Sequence, residues 1–260
     1  MFASYIICAT PRSGSTLLCK LLASTQTAGN PNSYYHRVEF MREWAVEWRL
    51  PDRDPASAKD LDIAYLAATI RTGKAGTGIF GLRLQKEYLR LLSETLDRIF
   101  PGLPSDASRF EHAFGRILYI HLTRADKVAQ AASLVRAQQS GLWHVAPDGT
   151  EIERLSAPQD PHYDFDKIGK ELCDLEAQEA GWNDWFERQQ ITPMRVQYEG
   201  LAADPAKALI DICKALGVEA PEARSVRPAV ARLSDELSLE WIRRYRADVA
   251  SRSTGEDNAP

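Results

Sequence analysis

The stretch SYIICATPRSGSTLLCKLL, close to the start of the sequence, constrains the fold more than any other segment. Its apolar run from Tyr5 to Ala9 predicts a buried strand, and the leucines that follow at helical spacing predict a helix over about 15–26. Between them, a short polar segment around Gly14 predicts a tight loop. Such a junction directs several backbone N–H groups and the positive end of a helix dipole at one place. The stretch therefore predicts an anion-binding site.

Strands and helices alternate along the remaining sequence. Further strands are predicted over 78–84, 116–122 and 194–201. Helices are predicted over 38–50, 58–72, 86–100, 164–190, 204–218 and 234–246, with another that begins near Asp126. This order predicts an α/β fold with a parallel sheet that is covered on both faces and binds ligands at the carboxyl ends of its strands.

Proline and glycine mark the connections between these elements. Pro51 and Pro55 separate the second and third helices, because proline breaks a helix. A linker rich in proline and glycine precedes the strand over 116–122. Residues 141–163 contain three prolines and two glycines, and we predict that they form a surface loop or a mobile lid.

The composition is that of an ordinary globular chain. Its 260 residues, 44% of them hydrophobic, can bury a substantial core, so we expect a single domain over 1–250 and a polar tail over 251–260. The net charge of −4 argues against a nucleic-acid partner. No apolar run approaches the ~18 residues that span a bilayer, and no charged secretory leader precedes the first strand. We therefore expect a cytoplasmic protein without a transmembrane segment.

The cysteines and histidines show no spacing typical of a disulfide framework or a metal site. We expect the cysteines to be buried, reduced thiols: Cys8, Cys19, Cys173 and Cys213. We expect no structural or catalytic metal. His121 lies within an apolar strand, so we expect it to be a core residue.

The loop TPRSGST differs from the phosphate-binding loop of kinases and ATPases, whose pattern is G-x-x-x-x-G-K-[ST]. Ser15 stands where that pattern has its lysine, and the long cation of the loop is Arg12. The strand ILYIHLTR ends in Arg124, not in an aspartate that could hold magnesium. Both departures favour an anion that is balanced by arginine and backbone N–H groups without a metal. A metal-dependent NTP kinase and a non-catalytic nucleotide-binding protein remain the alternatives.

The ordered set of motifs resembles a known family. TPRSGST resembles the 5′-phosphosulfate loop of sulfotransferases that use 3′-phosphoadenosine 5′-phosphosulfate (PAPS), and HLTRADKVAQAASLVRAQQSGLW is similar to their 3′-phosphate segment. Together with AGNPNSYYH, EAGWNDWF, RVQYEGLAADP and LSDELSLEWIRRYR, these motifs resemble the bacterial trehalose 2-sulfotransferase-like family from about Tyr5 to Asp248. The resemblance implies a P-loop-type three-layer sandwich with a central parallel sheet. It also implies sulfuryl transfer from PAPS to a hydroxyl of a carbohydrate or glycolipid, and a homodimer.

The resemblance also implies which residues bind the donor. The 5′-phosphosulfate would be surrounded by Arg12, Ser13, Gly14, Ser15 and Thr16, and the 3′-phosphate by Arg124 and Ser133. As a catalytic residue, Arg12 would stabilise the charge that builds on the bridging oxygen as the S–O bond breaks.

Two positions depart from the family pattern. The family has a glutamate, as general base, where this sequence has Ser33, and serine cannot replace it as a base. Either a nearby group acts as the base, for which His36 and Glu39 are the nearest titratable candidates, or the protein acts on another acceptor or is not a catalyst. Relatives commonly have lysine at the position of Arg83, so the charge is kept but the donor geometry changes.

The aromatic residues that follow Ser33 allow two interpretations. Tyr34 and Tyr35 lie in a predicted loop and are available to line a pocket. Trp44 and Trp48 have helical spacing, which favours a core position over stacking against a sugar. The aromatic side chains of EAGWNDWF are also expected in the core.

Overall fold

The structure, a computed structural model, describes residues 1–50, 58–227 and 236–256. Its strands are β1 (Ser4–Ala9), β2 (Phe80–Gln85), β3 (Ile117–Thr123), β4 (Leu142–Val145), β5 (Glu151–Arg154) and β6 (Met194–Gln197). Its helices are α1 (Ser15–Ser24), α2 (Val38–Glu47), α3 (Ala58–Lys74), α4 (Leu89–Ile99), α5 (Asp106–Phe114), α6 (Lys127–Ser140), α7 (Phe165–Arg188), α8 (Tyr198–Ala203), α9 (Pro205–Leu216) and α10 (Glu236–Glu256). Pro51 and Pro55, predicted to break the chain between helices, lie outside the described residues.

A parallel sheet with the strand order β2-β1-β3-β6 lies at the centre of the described chain. Within it, Cys8 of β1 pairs with Leu84 of β2 on one side and with His121 of β3 on the other. Because all neighbouring strands of this sheet are parallel, their carboxyl ends meet at one edge. The predicted central parallel sheet is confirmed, and the loop after β1 lies at the edge where ligands bind in such folds.

Alternate residues of β1 belong to different hydrophobic clusters. Ile6 and Cys8 pack with residues of α4, α5 and α7, whereas Tyr5, Ile7 and Ala9 pack with residues of α1 and α9. All five side chains are fully buried. Since successive strand residues point to opposite faces, the two clusters lie on opposite sides of the sheet and form a three-layer sandwich.

The linker predicted before β3 contains a helix that the sequence analysis missed. In α5, the Ser105 hydroxyl accepts a hydrogen bond from the Ser108 backbone N–H, and the Ser108 hydroxyl accepts one from the Ser105 N–H. Serine at both positions completes a capping box without the usual glutamate or glutamine. The apolar residues Phe110 and Phe114 then bury one face of this short helix.

The prediction of a loop or lid over 141–163 is wrong for the first half of that segment, where β4 and β5 form an antiparallel hairpin. Its prolines lie outside both strands, and Gly149 in the turn adopts a φ of 87°. The base of the hairpin is tied to α6, because Arg154 Nη1 donates to the Ser140 carbonyl at 2.7 Å and the Leu155 N–H donates to the Gly141 carbonyl at 2.8 Å. Polar composition had concealed two short, half-exposed strands.

Two predicted boundaries also require correction. The strand predicted over 194–201 ends at Gln197, and Tyr198 begins the short helix α8. The last helix continues to Glu256, so residues 251–256 of the predicted polar tail are helical. Residues 257–260 of that tail lie outside the described residues.

The burial of some side chains confirms the predictions, and that of others contradicts them. Tyr34 and Tyr35 are fully buried in the core, so the prediction that they line a pocket is wrong. Cys173 is exposed, in contrast to the buried thiols of the other cysteines. The predicted core residues Trp182 and His121 are both buried, and each forms a hydrogen bond with a neighbouring polar group. Within the described residues, the helices are too short or too polar to span a bilayer.

The position of α1 depends on leucine burial, which a matched pair of variants can test. Leu22 is fully buried among residues of β1 and α9, so Leu22→Ala should lower the free energy of unfolding by about 2–5 kcal/mol. Leu239→Ala makes the same change at a side chain that is 51% exposed and should alter stability by no more than about 0.5 kcal/mol. Urea unfolding measures both values, and equal losses would contradict this account of the packing.

Candidate active site

Side chains from two distant helices fix the loop that follows β1. Trp182 Nε1 of α7 donates to the Ala9 carbonyl at 2.9 Å, at the end of the strand. Gln130 of α6 donates from Nε2 to Thr10 Oγ1 at 2.9 Å and to the Pro11 carbonyl at 2.6 Å. These side chains satisfy the backbone as it leaves the sheet, so the following residues, 12–16, hold a defined conformation; we call them the anion loop.

Gly14 is required at the turn of the anion loop for two reasons. It adopts a φ of 88°, in the left-handed region that glycine enters without strain. A Cβ atom at this position would lie 2.4 Å from Cδ2 of Tyr198. Arg12 also lies in the left-handed region, with a φ of 61°. The loop thus combines a strained backbone with a close approach to the ring of Tyr198, which follows β6 at the same edge of the sheet.

The amino-terminal turn of α1 offers backbone donors to a ligand. The helix begins after Gly14, which has no side chain to cap it, and its first turn contains no acidic residue. The first helical hydrogen bond runs from the Leu18 N–H to the Gly14 carbonyl at 3.1 Å, so the N–H groups before Leu18 have no acceptor within the helix. Ser13 is fully buried, and within the described residues its Oγ has no hydrogen-bond partner. These features define an anion site.

Two arginines and a serine from separate parts of the chain meet beside this site. Arg12 Nε donates to Ser133 Oγ at 3.0 Å, and Arg12 Nη1 donates to the Trp143 carbonyl at 2.6 Å. Arg124 Nη1 donates to the Arg12 carbonyl at 3.3 Å, and its guanidinium lies 4.7 Å from the centre of the Tyr198 ring. Burial, with a smaller contribution from the charge of Arg124, lowers the pKa of Arg12 to about 10. Arg12 therefore stays charged at neutral pH.

A second group of polar side chains surrounds Thr16. Arg83 Nη1 donates to Thr16 Oγ1 at 2.7 Å, and Arg83 Nε donates to Ser33 Oγ at 2.8 Å. His144 Nε2, from β4, lies 2.9 Å from Thr16 Oγ1. The two departures from the family pattern, at positions 33 and 83, are thus in direct contact with each other. The long side chain of Arg83 thus reaches the short side chain of Ser33.

A cavity of about 840 Å³ opens onto both groups, within the range typical of small-molecule sites. Of the residues named by sequence analysis, its lining includes Arg12, Gly14, Ser15, Thr16, Ser33, His36, Arg83, Arg124 and Ser133. Ser13 is buried behind the lining, and Glu39 is exposed and does not line the cavity. In the described part of the chain, no three His, Cys, Asp or Glu side chains are grouped so as to hold a metal ion.

His36 lines the cavity in an apolar setting. Its ring centre lies 4.8 Å from that of Phe40 and 4.3 Å from that of Tyr88. Burial, followed by the charges of Arg83 and Arg37, lowers the pKa of His36 to about 4. The imidazole is therefore neutral at physiological pH, which a general base requires.

One side of the cavity combines aromatic rings with carboxylate and amide groups. This side includes Asn32, Phe40, Glu43, Trp44 and Glu47. Trp44 packs against the hydrophobic core, as predicted, and stacks on Trp48 with a centroid distance of 5.2 Å, yet it also faces the cavity. Aromatic faces and carboxylate acceptors suit a ligand with many hydroxyl groups.

Two prominent residues were missed by the sequence analysis. Tyr198 was placed inside a predicted strand, although its position just after the end of β6 puts it at the ligand edge of the sheet. His144 was hidden in the segment 141–163, where the two strands are too short to be recognised from periodicity. Only the folded hairpin brings its ring to Thr16.

An anion loop at the carboxyl edge of a parallel sheet, with Arg12 and Arg124 in contact, is the arrangement that the sequence analysis expects of a sulfotransferase. The chain belongs to the family described as Stf0 sulphotransferase, whose model matches residues 4–248.

The chain is similar to curated enzymes over almost its full length. It is 31% identical to the trehalose 2-sulfotransferase of Mycolicibacterium smegmatis, over 95% of this chain and 95% of that protein. It is 27% identical to the trehalose 2-sulfotransferase of Mycobacterium tuberculosis, over 94% of this chain and 95% of that protein. The solved sulfotransferase domain from the Synechococcus PCC 7002 olefin synthase aligns with a TM-score of 0.50 and 18% identity, covering 95% of this chain and 87% of that one. This last similarity supports the fold alone.

Two glycines with nearly equal φ values test the contact between the anion loop and Tyr198. Gly14 and Gly149 have φ values of 88° and 87°, but a Cβ at Gly149 meets nothing within 4 Å. Gly149→Ala should therefore cost only the left-handed strain, about 1–2 kcal/mol of unfolding free energy. Gly14→Ala should cost clearly more, because Tyr198 must also move, and it should weaken binding of sulfate ion. Similar losses in urea unfolding, with sulfate binding unchanged, would contradict this geometry.

Proposed function

We propose that this protein transfers a sulfuryl group from PAPS to a hydroxyl group of a carbohydrate or glycolipid acceptor. The observation that carries the proposal is the meeting of Arg12, Arg124 and Ser133 beside the anion loop. This arrangement provides two neighbouring positions for anions, one at the start of α1 and one between Arg124 and Ser133. A donor with phosphate groups at both its 5′ and 3′ ends uses both positions.

The chemistry of the anion loop fits a sulfuryl donor. Arg12, which stays charged, and the free N–H groups at the start of α1 can balance negative charge without a metal ion. Ser13 Oγ, buried without a partner among the described residues, is available to the same anion. A kinase would place a lysine at Ser15 to reach the terminal phosphates of its nucleotide.

The proposed reaction is a direct in-line displacement. The acceptor oxygen attacks sulfur while the bond from sulfur to the bridging oxygen of the 5′-phosphate breaks. The cavity holds the two reactants together, which replaces an encounter in solution by a fixed orientation. Arg12 and the N–H groups of Ser15 and Thr16 stabilise the charge that develops on the departing adenosine 3′,5′-bisphosphate.

The acceptor half of the cavity supports a carbohydrate. Trp44 offers an aromatic face, and Glu43 and Glu47, one helical turn apart on α2, offer carboxylates to hydroxyl donors. The curated relatives are named for sulfation of trehalose, a disaccharide. We therefore take trehalose as the first acceptor to test, together with a panel of other sugars and glycolipids.

Donor binding tests the proposal directly. Adenosine 3′,5′-bisphosphate should bind more tightly than ADP, and magnesium should not be needed. Arg124→Ala should weaken the bisphosphate by roughly 10- to 100-fold, because a charge-assisted contact to the 3′-phosphate is lost. Arg90→Ala is the matched control, since Arg90 is exposed and pairs with Glu94 outside the cavity. Isothermal titration calorimetry measures the dissociation constant of each nucleotide, with and without magnesium, and that of the bisphosphate for each variant.

Other outcomes would favour the alternatives. Preference for ADP with magnesium would contradict the proposal and favour the kinase. Tight binding of the bisphosphate, with no sulfated product from PAPS and any acceptor of the panel by mass spectrometry, would favour a binding protein without catalysis.

A further inference from the structure

The β4–β5 hairpin holds His144 against the anion loop. His144 Nε2 lies 2.9 Å from Thr16 Oγ1, and the preceding carbonyl, of Trp143, accepts a hydrogen bond from Arg12 Nη1 at 2.6 Å. The His144 side chain is only 18% exposed and lines the cavity. An imidazole thus lies in contact with the loop at which the sulfuryl group would be bound.

The hydrogen bonds around Thr16 allow a neutral imidazole that accepts a hydrogen bond at Nε2. Arg83 carries only donors, so its contact at 2.7 Å makes Thr16 Oγ1 an acceptor. The hydroxyl proton of Thr16 is then free to be donated to His144 Nε2. In this arrangement Nε2 carries a lone pair and the ring is neutral.

Burial and the positive groups around His144 favour the same neutral form. Arg12 faces it from the anion loop, Arg83 from β2 and Lys20 from α1, and burial together with these charges lowers the pKa of His144 to about 3. From β5, Glu153 Oε2 lies 3.5 Å from His144 Nε2 and is 40% exposed on its side chain. A bound anionic donor would offset the arginine charges, so His144 should become more basic when the donor is present.

We propose that His144 is the catalytic base that receives the proton of the acceptor hydroxyl, with Glu153 as the positioning residue that stabilises the resulting imidazolium. The proposal rests on the sulfuryl transfer proposed above. His144 would take the role of the glutamate that the family has at the position of Ser33. The Ser33 hydroxyl instead accepts a hydrogen bond from Arg83.

The step balances within the proposed reaction. The acceptor oxygen forms a bond to sulfur, and its proton passes to His144 Nε2, which exchanges Thr16 for the acceptor as its hydrogen-bond partner. The electrons of the broken S–O bond remain on the 5′-phosphate of adenosine 3′,5′-bisphosphate. The imidazolium, stabilised by the nearby carboxylate of Glu153, then releases the proton to solvent.

The other candidate bases are less well placed. Glu39 is exposed and lies outside the cavity lining. His36 lines the cavity, but its ring lies between Phe40 and Tyr88 and its Nδ1 is buried without a hydrogen-bond partner in the described structure. The direct contact of His144 with Thr16 is what favours His144 over His36.

Single variants of three histidines test the assignment. Transfer from PAPS to trehalose should fall at least 100-fold in kcat for His144→Gln, because glutamine can hydrogen-bond to Thr16 but cannot accept the proton. Its dissociation constant for adenosine 3′,5′-bisphosphate should stay within about threefold, which separates the loss of a base from the loss of a donor site. His36→Gln should lose less activity. His162→Gln, at an exposed position outside the cavity lining, is the control.

The pH dependence tests the role of Glu153. Its carboxylate favours the charged form of His144, so Glu153→Gln should lower the pKa of that imidazole further. The acidic limb of the kcat profile, on which rate is lost as the base becomes protonated, should move to lower pH in this variant. An unmoved limb would contradict the role given to Glu153.

A measurement on the imidazole itself needs no acceptor. NMR titration of the histidine resonances, assigned through His144→Gln, should give a higher pKa for His144 in the complex with adenosine 3′,5′-bisphosphate than in the free protein. An unchanged pKa would overturn the assignment, as would full activity of His144→Gln or a parallel loss of donor affinity and kcat. If the unaltered protein fails to bind the bisphosphate, the proposed function itself is contradicted.

Discussion

Arg12, a partly buried residue, links the parts of this structure on which the site depends. It hydrogen-bonds to Ser133 on α6 and to the Trp143 carbonyl at the start of the hairpin, while its own carbonyl accepts from Arg124 at the end of β3. Three segments far apart in sequence are thereby joined through one residue. Without it, the anion loop would lose its contact with the residues that complete the cavity.

The same arrangement concentrates positive charge in a chain whose net charge is −4. Arg12, Arg83 and Arg124 surround a helix amino terminus that is itself electropositive, and their mutual repulsion is relieved when an anion binds. Stability and donor binding should therefore be coupled: the site is costly to assemble empty and is stabilised by its ligand. Burial is the main cause of the lowered pKa values of His36 and His144, and nearby positive charges, including that of Arg83 in both cases, lower them further.

The sequence was sufficient for the local pattern and for the family, because strand, loop and helix follow one another within a few residues around Gly14. The alternation of strands and helices along the sequence likewise predicts the parallel sheet. The hairpin was missed because its strands have only four residues each. A strand of that length is too short for the alternation of apolar and polar residues to be recognised in a polar segment. The contact of Ser33 with Arg83 joins positions 50 residues apart, and no local rule could pair them.

A crystal structure of the complex with adenosine 3′,5′-bisphosphate would test the central claim most directly. The account predicts the 5′-phosphate on the backbone N–H groups at the start of α1, in contact with Arg12, and the 3′-phosphate between Arg124 and Ser133. A nucleotide bound in the opposite direction, or with its 3′-phosphate in solvent and away from Arg124, would contradict it.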